Sequence, residues 1–414
     1  MNFTRNSFFL LLVILTSSIP SLEGMTTTMY KPSSKLQTPH FAKDQLTSFS
    51  AIYSAGNTTQ AYNQFGNLCN PLEIYGQDTL SAQLLPPAMI QYFLLSIPAD
   101  LVNDLGAVNF QGKFGVKELY LHFSKNLIYG FFLEGAALIR DLQISKITMQ
   151  PNLNPALTPI QAQTVITTLS DALNSNGSLL QPDGGMRKYG LMQSYILAGW
   201  SHHFQNFQHI DFLDITFKAG LSLPEQCDQN FNDLFAFPFP GNRHIGFPII
   251  ANIGTGFLDW LNVGSTIIVM PWLANMDLYT LNPAGTNTTI LVPFQDIATE
   301  KTNPFYHTSV YIEADHFFKG FSLRFSYLYT HNGKSTLTPA NTARFPTNLV
   351  NQSPNLQSWD AKSILSEIEY DFATEESPDL PIIKFFYTIP LAGENIIKTP
   401  ITGASLGCIF TYEF

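Results

Sequence analysis

The chain has few charged residues. Asp, Glu, Lys and Arg together make up 13% of its 414 residues, which is about half the share of an ordinary soluble domain. Because so few charges cannot cover a soluble surface, much of the apolar area must face something other than water. The mean hydropathy of +0.05 agrees with this, and lipid is the simplest medium that fits.

The chain also lacks an apolar run suited to a membrane-spanning helix. Residues 245–276 carry one charge, Asp259, but Gly, Pro and Asn residues interrupt them repeatedly, and these disfavour a helix. The same residues predict a β-hairpin with strands over 245–257 and 263–272. Residues 80–98 carry no charge and predict a short helix between prolines, which is too short to cross a bilayer.

Cysteine and positive charge are scarce as well. The net charge of −10 argues against a nucleic-acid partner and against adsorption to an anionic membrane surface. The three cysteines are an odd number. A disulfide between Cys69 and Cys227 would join two loops, and the sequence leaves this pairing open. Cys408 lies on the apolar face of the last predicted strand, where we expect it to pack.

The first residues are typical of an exported protein. Arg5 precedes the apolar run 7–16, and small and helix-breaking residues follow over 17–21. This order predicts a cleaved signal peptide over residues 1–24. We expect residues 25–46 to form an N-terminal periplasmic segment and residues 47–414 to form the folded domain.

Alternation of apolar and polar residues predicts about twelve β-strands. Short connections, after Phe123, Phe204, Phe257, Phe317 and Phe372, alternate with long ones. This order is typical of an antiparallel up-and-down transmembrane barrel with short periplasmic turns and long extracellular loops. Fourteen strands, with residues 288–292 and part of the first loop added, is the alternative. The predicted strands are 47–55, 108–123, 128–149, 188–204, 210–223, 244–257, 261–273, 305–317, 321–331, 360–372, 380–391 and 401–414.

Two loop segments are candidates for a plug or cap. Residues 159–173 have the apolar spacing of an amphipathic helix, which would cap or constrict a pore. The short helix within residues 80–98 would lie in a loop or fold into the lumen. Either segment would narrow the passage through a barrel.

Charged residues on several strands are expected to face the lumen. A turn at 318–319 pairs Glu313 with Arg324 and Asp315 with Ser322, while sliding it to 319–320 moves each partner by two and keeps the faces. Such a wall favours cations or orients a polar solute. The alternative is a purely structural network inside a narrow barrel. The predicted pore-lining residues are Glu313, Asp315, Arg324, Glu367, Glu369, Asp371, Asp214 and Lys218.

The last strand, residues 401–414, places Ala404, Leu406, Cys408, Phe410, Tyr412 and Phe414 on one face. Its other face carries Gly403, Ser405, Gly407 and Thr411. This strand resembles the C-terminal strand of Gram-negative outer-membrane β-barrels of the porin-like kind. The resemblance implies that Phe410, Tyr412 and Phe414 form the signal read by the outer-membrane assembly machinery. It also implies that the protein lies in the bacterial outer membrane, in contact with its lipid.

No motif indicates catalysis, a metal or a cofactor. His202 and His203 are adjacent and point to opposite faces of a strand, so they cannot bind one ion together. The motif of the outer-membrane phospholipases is absent, and no phosphate-binding loop, dinucleotide-binding or zinc-binding signature occurs. We therefore expect no enzyme activity, no catalytic or metal-ligating residue and no cofactor.

Three functions remain open. The first is a porin-like channel for small hydrophilic solutes with mild selectivity for cations. The second is a transporter for apolar solutes with a plug or cap. The third is a barrel that only anchors adhesive or receptor loops at the cell surface. A homo-oligomer is compatible with each of them.

Overall fold

The structure is a computed structural model that describes residues 47–76, 78–80, 101, 104–175, 185–205, 209–223, 244–258, 260–281, 295–318, 320–353, 356–372 and 380–410. Several predictions fall outside these residues. They are the signal peptide, the N-terminal periplasmic segment, the short helix within residues 80–98, the added strand 288–292, Cys227, Thr411, Tyr412 and Phe414.

The described residues form nineteen β-strands and two α-helices. The helices are α1, Pro159–Ser175, and α2, Thr347–Val350, and no helix among the described residues has the length and apolar character needed to cross a bilayer. The strands are β1 Thr47–Thr58, β2 Ala61–Tyr62, β3 Leu68–Cys69, β4 Asp78–Leu80, β5 Gly106–Asn126, β6 Phe131–Leu153, β7 Gly185–Gln205, β8 Phe212–Leu223, β9 Ile249–Phe257, β10 Leu261–Met270, β11 Asn275–Thr280, β12 Gln295–Thr302, β13 Phe305–Phe318, β14 Phe321–Asn332, β15 Ser335–Pro339, β16 Trp359–Asp371, β17 Ile382–Glu394, β18 Ile396–Ile397 and β19 Ile401–Phe410.

Twelve of these strands close into an antiparallel barrel. Their order around it is β1, β5, β6, β7, β8, β9, β10, β13, β14, β16, β17 and β19. The seam is made by β1, which pairs with β19 on one side and with β5 on the other. The predicted twelve-strand barrel is confirmed, and the fourteen-strand alternative is wrong.

Short and long connections alternate around this barrel as predicted. The short ones follow β5, β7, β9, β13 and β16, and they define one end, the short-turn rim. The other end, the long-loop rim, carries α1, α2 and the remaining short strands. Some predicted bounds shift: β6 begins at Phe131 instead of residue 128, β9 at Ile249 instead of 244, and β10 ends at Met270.

The outward face of the barrel is apolar between the rims. Because side chains alternate along a strand, each barrel strand sends every second residue away from the lumen. Ile253, Phe325 and Phe385 are examples, with 49%, 47% and 61% of their surface exposed. Apolar groups as exposed as these match a lipid-facing surface.

Strands β5 and β6 extend well beyond the length that a bilayer requires. They contain 21 and 23 residues, whereas about 9–11 residues cross a membrane in a tilted barrel strand. Near the long-loop rim their outward residues become charged, for example Lys117 and its cross-strand neighbour Asp141. The strands therefore project past the apolar band at that end.

The lumen next to the long-loop rim is filled by apolar side chains. Leu72 and Ile74, in and beside a 3-10 turn at Glu73–Tyr75, pack in one buried cluster with the inward residues Phe110 and Phe114 of β5. A methyl group at Gly112 would lie 3.1 Å from Leu72 Cδ1, so the turn sits against the inner wall. We call residues Leu72 to Leu80 of this cluster the plug segment.

Helix α1 packs on the same apolar cluster. Its residues Val165 and Leu169 are buried there together with Leu157, which precedes the helix. The predicted amphipathic helix over 159–173 therefore exists, and it contributes to the packing near the long-loop rim.

A second, separate sheet stands among the long loops. Strands β11, β12 and β15 pair in that order, over a buried cluster that includes Leu337, Phe345 and Val350. Residues 275–302 had been expected to be loop, so this sheet was missed. It forms because these segments carry enough apolar side chains to bury a small core of their own.

Strands β13 and β14 test the predicted register. The pairs Ile312–Phe325 and Glu313–Arg324 are observed, and so is Ala314–Leu323. The expected cross-strand pair of Asp315 with Ser322 is wrong, because the register shifts between Ala314 and Phe318. His316 adopts φ 47° in this bulge, and the strands pair again at Phe318 and Phe321, with Gly320 at φ 83° in the turn.

Candidate functional site

Among the described residues, ten charged side chains from seven barrel strands point into the half of the lumen next to the short-turn rim. Their inward direction follows from the pairing of the strands and from the burial of alternate residues. We call this set the charged belt. Its members are Glu118, Glu134, Arg140, Asp214, Lys218, Glu313, Arg324, Glu367, Glu369 and Lys384.

The most deeply buried pair of the belt joins β5 to β6. The carboxylate of Glu118 accepts a hydrogen bond from Arg140 Nε at 2.5 Å, and both side chains are 1% exposed. Ser54 of β1 donates to Glu118 Oε2 at 3.2 Å. Together with Ser54, the pair therefore links the adjacent strands β1, β5 and β6. It lies at the level of the barrel where the apolar cluster ends and the charged belt begins.

A second ion pair joins β6 to β8 across β7. Lys218 Nζ of β8 lies 3.0 Å and 3.1 Å from the two carboxylate oxygens of Glu134 on β6. His122 Nε2 of β5 lies 3.7 Å from Glu134 Oε2. A buried charge is stable only when it is paired, and Lys218 and Glu134 satisfy this condition for each other.

Arg324 is the centre of the opposite wall. Its guanidinium donates to Glu313 Oε2 at 2.9 Å and lies 3.8 Å from Glu367 Oε2. The Arg324 Cζ atom also stands 4.6 Å from the centre of the Tyr311 ring, a distance suited to a cation–π contact. The predicted set of Glu313, Arg324 and Glu367 thus forms one network.

The belt continues to β17 and ends beside a wall of small residues. Lys384 Nζ lies 2.7 Å from Glu369 Oε2. On the next strand, β19, the inward positions are Gly403, Ser405 and Gly407, and the space over Gly403 is taken by the Phe386 ring. At Gly403 this wall is therefore covered by Phe386 instead of opening into the lumen.

Two histidines, His203 and His316, lie in contact with carboxylates near the short-turn rim. His203 Nδ1 lies 2.5 Å from Asp214 Oδ1 across β7 and β8, whereas His202 faces outward between Trp200 and Phe204. In the bulge of β13, His316 lies 2.6 Å from Asp315 Oδ1 and 3.5 Å from Asp371 Oδ2. Ser322 Oγ donates to Asp315 Oδ1 at 2.9 Å, although the two residues are not cross-strand partners.

Carboxylates outnumber cationic side chains in this part of the barrel. The belt contains six carboxylates and four Lys or Arg groups, and Asp315 and Asp371 at the short-turn rim add two carboxylates more. Among the described residues, the region is therefore negative when its histidines are neutral. A narrow passage with this balance attracts cations and repels anions.

The eight predicted pore-lining residues occupy this region, but four belt members were missed. Glu118, Glu134, Arg140 and Lys384 were not predicted. Glu118 follows Phe114 and Val116 on one face of β5, and these apolar neighbours gave no indication of a charged wall. The signal that could have found it is the matching charge of Arg140 on the apolar face of the next strand.

The remaining predicted site is the C-terminal signal. Phe410 is the last residue of β19, and its Cα is paired with that of Thr47, while Tyr412 and Phe414 lie outside the described residues. Cys69 and Cys408 are free. Within the described part of the chain, no group of three or more His, Cys, Asp or Glu residues has metal-binding geometry.

Solved structures with a similar fold are outer-membrane barrels. An outer-membrane channel from Pseudomonas putida F1 superposes with a TM-score of 0.51 at 10% identity, over 92% of this chain and 100% of that chain. A monoaromatic hydrocarbon channel gives a TM-score of 0.34 at 11% identity, over 89% and 90% of the two chains. No protein-family profile and no curated protein sequence matches the chain. The first superposition shows that this fold is that of an outer-membrane β-barrel.

Proposed function

We propose that this protein is an outer-membrane channel for small hydrophilic solutes, mildly selective for cations, and that the present conformation is closed. The excess of carboxylates in the charged belt is the observation that carries the selectivity. The proposal places the long loops outside the cell and the short-turn rim in the periplasm. It includes export through a cleaved signal peptide and insertion by the outer-membrane assembly machinery.

The composition of the charged belt fits the selection of ions better than a purely structural role. The belt holds two more carboxylates than Lys and Arg groups, because Asp214 pairs with a histidine, His203, and Glu367 shares Arg324 with Glu313. An excess of carboxylates over Lys and Arg is costly in a dry interior. They are tolerable where water and cations reach them, which is the environment of an ion pathway.

The closed state follows from the plug segment. Leu72 and Leu80 are buried in the apolar cluster of the lumen, at 0% and 4% exposure. A hydrophilic solute cannot cross apolar packing without displacing it. Leu72 and Ile74 of the plug segment belong to no barrel strand, and β4 is held to β5 by three residue pairs only. The segment can therefore leave while the twelve strands stay closed.

Planar bilayer recordings test this function. We expect the refolded full chain to give discrete conductance steps that favour K⁺ over Cl⁻. The variant Glu367→Lys/Glu369→Lys should shift the reversal potential towards anion selectivity, because it adds four positive charge units to the belt. Asp171→Lys, on an exposed part of α1, is the matched control and should leave the selectivity nearly unchanged.

Two outcomes would contradict the proposal. Silence from a folded protein at all voltages would leave a barrel that only anchors loops, which is the third function above. Conductance with the same selectivity in wild type and in Glu367→Lys/Glu369→Lys would remove the belt from the mechanism. Heat-modifiable migration on a denaturing gel verifies that each variant is folded.

One observation favours a second function, transport of apolar solutes. The apolar cluster beside the plug segment is lined by Phe110, Phe114 and Val116, and it would accept an apolar molecule if the plug segment moved aside. A small apolar fluorophore such as N-phenylnaphthylamine should then enter cells or liposomes faster with the protein than without it. No acceleration, together with cation-selective steps, would exclude this second function.

A further inference from the structure

A basic cluster lies on the outward face of the barrel, where β5, β6 and β7 project past the apolar band. Its members are Lys113 and Lys117 of β5, Lys146 of β6 and Arg187 of β7. On the outward face, the next residues towards the short-turn rim are apolar. They are Leu119, two residues after Lys117, and Ile139, two residues before Asp141, and Leu119 and Ile139 are cross-strand neighbours. The cluster therefore begins where the lipid-facing surface ends.

The cluster has little acidic compensation. Among the described residues, Asp141 is its one acidic neighbour on the outward face, and the Arg187 guanidinium binds both oxygens of Asp141 at 2.7 Å. Lys113, Lys117 and Lys146 form no salt bridge with another described residue. After the one ion pair, three positive charges remain on this surface.

A cleft opens beside two of these lysines because β1 is short. β1 ends at Thr58, opposite Phe114, and β4 covers β5 only over residues 106–108. Between them, the edge of β5 has no neighbouring strand within the described residues. The Asn70 side chain takes its place at Gly112, accepting from the Gly112 N–H at 2.8 Å and donating to the Gly112 carbonyl at 3.2 Å.

The cleft has a volume of about 600 Å³ and a polar lining without a carboxylate. The nearest acid, Glu73, is turned to other partners: it accepts from the Asn70 N–H at 2.8 Å and from the Gln111 amide at 2.7 Å. The lining residues that matter for a ligand are Asn57, Gln60, Asn70, Gln111, Lys113 and Lys146. Two ammonium groups among neutral amide donors suit an anion.

We propose that this cleft, together with Lys117 and Arg187, binds the phosphate groups of a phosphorylated lipid headgroup in the leaflet next to the long-loop rim. The inference rests on the membrane location in the proposed function. Phosphate oxygens accept charge-assisted hydrogen bonds from Lys and Arg. A headgroup lies at this height, directly above the lipid-facing band, so its phosphates meet the cluster without any change in the barrel.

This proposal reverses one expectation from the sequence. The net charge of −10 argued against attraction to an anionic membrane surface. The electrostatic potential at one part of the surface, however, depends on the charges near it and not on the net charge of the chain. Here eight carboxylates lie in the lumen, six in the charged belt and two at the short-turn rim, while this part of the outward face is positive.

Lipid retention in native mass spectrometry tests the proposal. The full chain, solubilised in neutral detergent, is mixed with phosphorylated lipid A or with lipid A from which both phosphates have been removed. We expect wild type to retain the phosphorylated form, and Lys113→Ala/Lys146→Ala to lower this retention on the order of tenfold. Lys362→Ala, an exposed lysine of β16 near the same rim, is the matched control and should bind as wild type does.

Equal retention of both lipids by wild type, or unchanged retention by Lys113→Ala/Lys146→Ala, would overturn the proposal. Inorganic phosphate at millimolar concentration distinguishes a site for free phosphate from a site for a lipid headgroup. It would displace the lipid completely if the phosphate group alone were the ligand. Conductance in bilayers of neutral lipid is measured on the same samples. Absent lipid retention by wild type, with normal conductance, would refute this inference alone, whereas a folded but silent wild-type protein would refute the proposed function.

Discussion

Glu118 and Arg140 occupy directly paired positions on β5 and β6 and hold each other's charge inside the barrel wall. Each has apolar neighbours towards the long-loop rim: Val116 precedes Glu118 on its face, and Leu142 follows Arg140. The pair therefore marks the boundary between the apolar half of the lumen and the charged belt. Its burial makes the two charges dependent on each other.

Removal of one partner should destabilise the barrel strongly. We expect Arg140→Met to lower the free energy of unfolding by about 3–5 kcal/mol, because it leaves the Glu118 carboxylate buried and unpaired. The double variant Glu118→Leu/Arg140→Met should lose much less. Urea unfolding of the protein in lipid vesicles, followed by tryptophan fluorescence, measures both. Equal losses in the single and double variants would show that the two charges are not coupled.

Loosening of the plug segment should open the channel. We expect Leu72→Ser/Ile74→Ser to raise the open probability in planar bilayers several-fold, because polar side chains pack poorly against Phe110 and Phe114. Leu68→Ser is the control, since Leu68 is exposed at 56% and lies in the same loop. A double variant that conducts as wild type does would show that the plug segment does not close the lumen.

The contact between His244 and Glu300 should make the loop sheet sensitive to pH. His244 Nε2 lies 3.2 Å from Glu300 Oε2, and His244 Nδ1 lies 2.6 Å from the Leu273 carbonyl oxygen. Burial by itself lowers the pKa of His244, but the hydrogen bond and charge of Glu300 outweigh burial, and the pKa is raised above its usual 6.5. The protonated form is thus favoured in the folded protein.

A raised histidine pKa stabilises the fold at low pH. The contribution is complete below the ordinary pKa of about 6.5 and is lost as pH rises through the raised pKa. We expect proteolysis of residues 275–302 to be slower at pH 5.5 than at pH 8.5 in wild type, with a smaller difference in His244→Gln. The same pH ratio in both proteins would contradict this assignment.

The Cys69 thiol should react slowly. Burial, with the Glu73 carboxylate adding to it, raises the pKa of Cys69 to about 11. At pH 8 roughly one thiol in a thousand is then a thiolate, the reactive form. In a Cys227→Ser/Cys408→Ser background, we expect maleimide labelling to accelerate about tenfold per pH unit between pH 8 and pH 10. Rates that level off below pH 9 would show an ordinary thiol.

Alternation and loop length were sufficient to predict the barrel. The register of Ile312 with Phe325 followed from the turn position and from the need to keep one face apolar. The bulge near His316 could not be predicted, because a positive φ is uncommon at any residue other than glycine and the alternating pattern continues through His316 without a break. The structure combines both predicted turn positions: the first sets the pairing of the strands, and the second closes the turn at Gly320.

The faces of β5 and β6 explain most of what was missed in the site. Where these strands project past the apolar band, their inward face is apolar, because it packs on the plug segment, and their outward face is polar, because it meets water. Glu118 and Arg140 lie close to this reversal. Alternation gives two faces but does not say which one faces lipid, so the direction of a charge near the reversal does not follow from the sequence.

The seam between β1 and β19 has a consequence for how the barrel folds. It pairs Thr47 with Phe410 and Gly56 with Ile401, so residues near the two ends of the folded domain must meet before the hydrogen-bonding edges of either strand are satisfied. Contacts of such long sequence separation form slowly, and until they form, both edges can pair with another chain. The time between export and closure is therefore the period in which this protein is most exposed to aggregation.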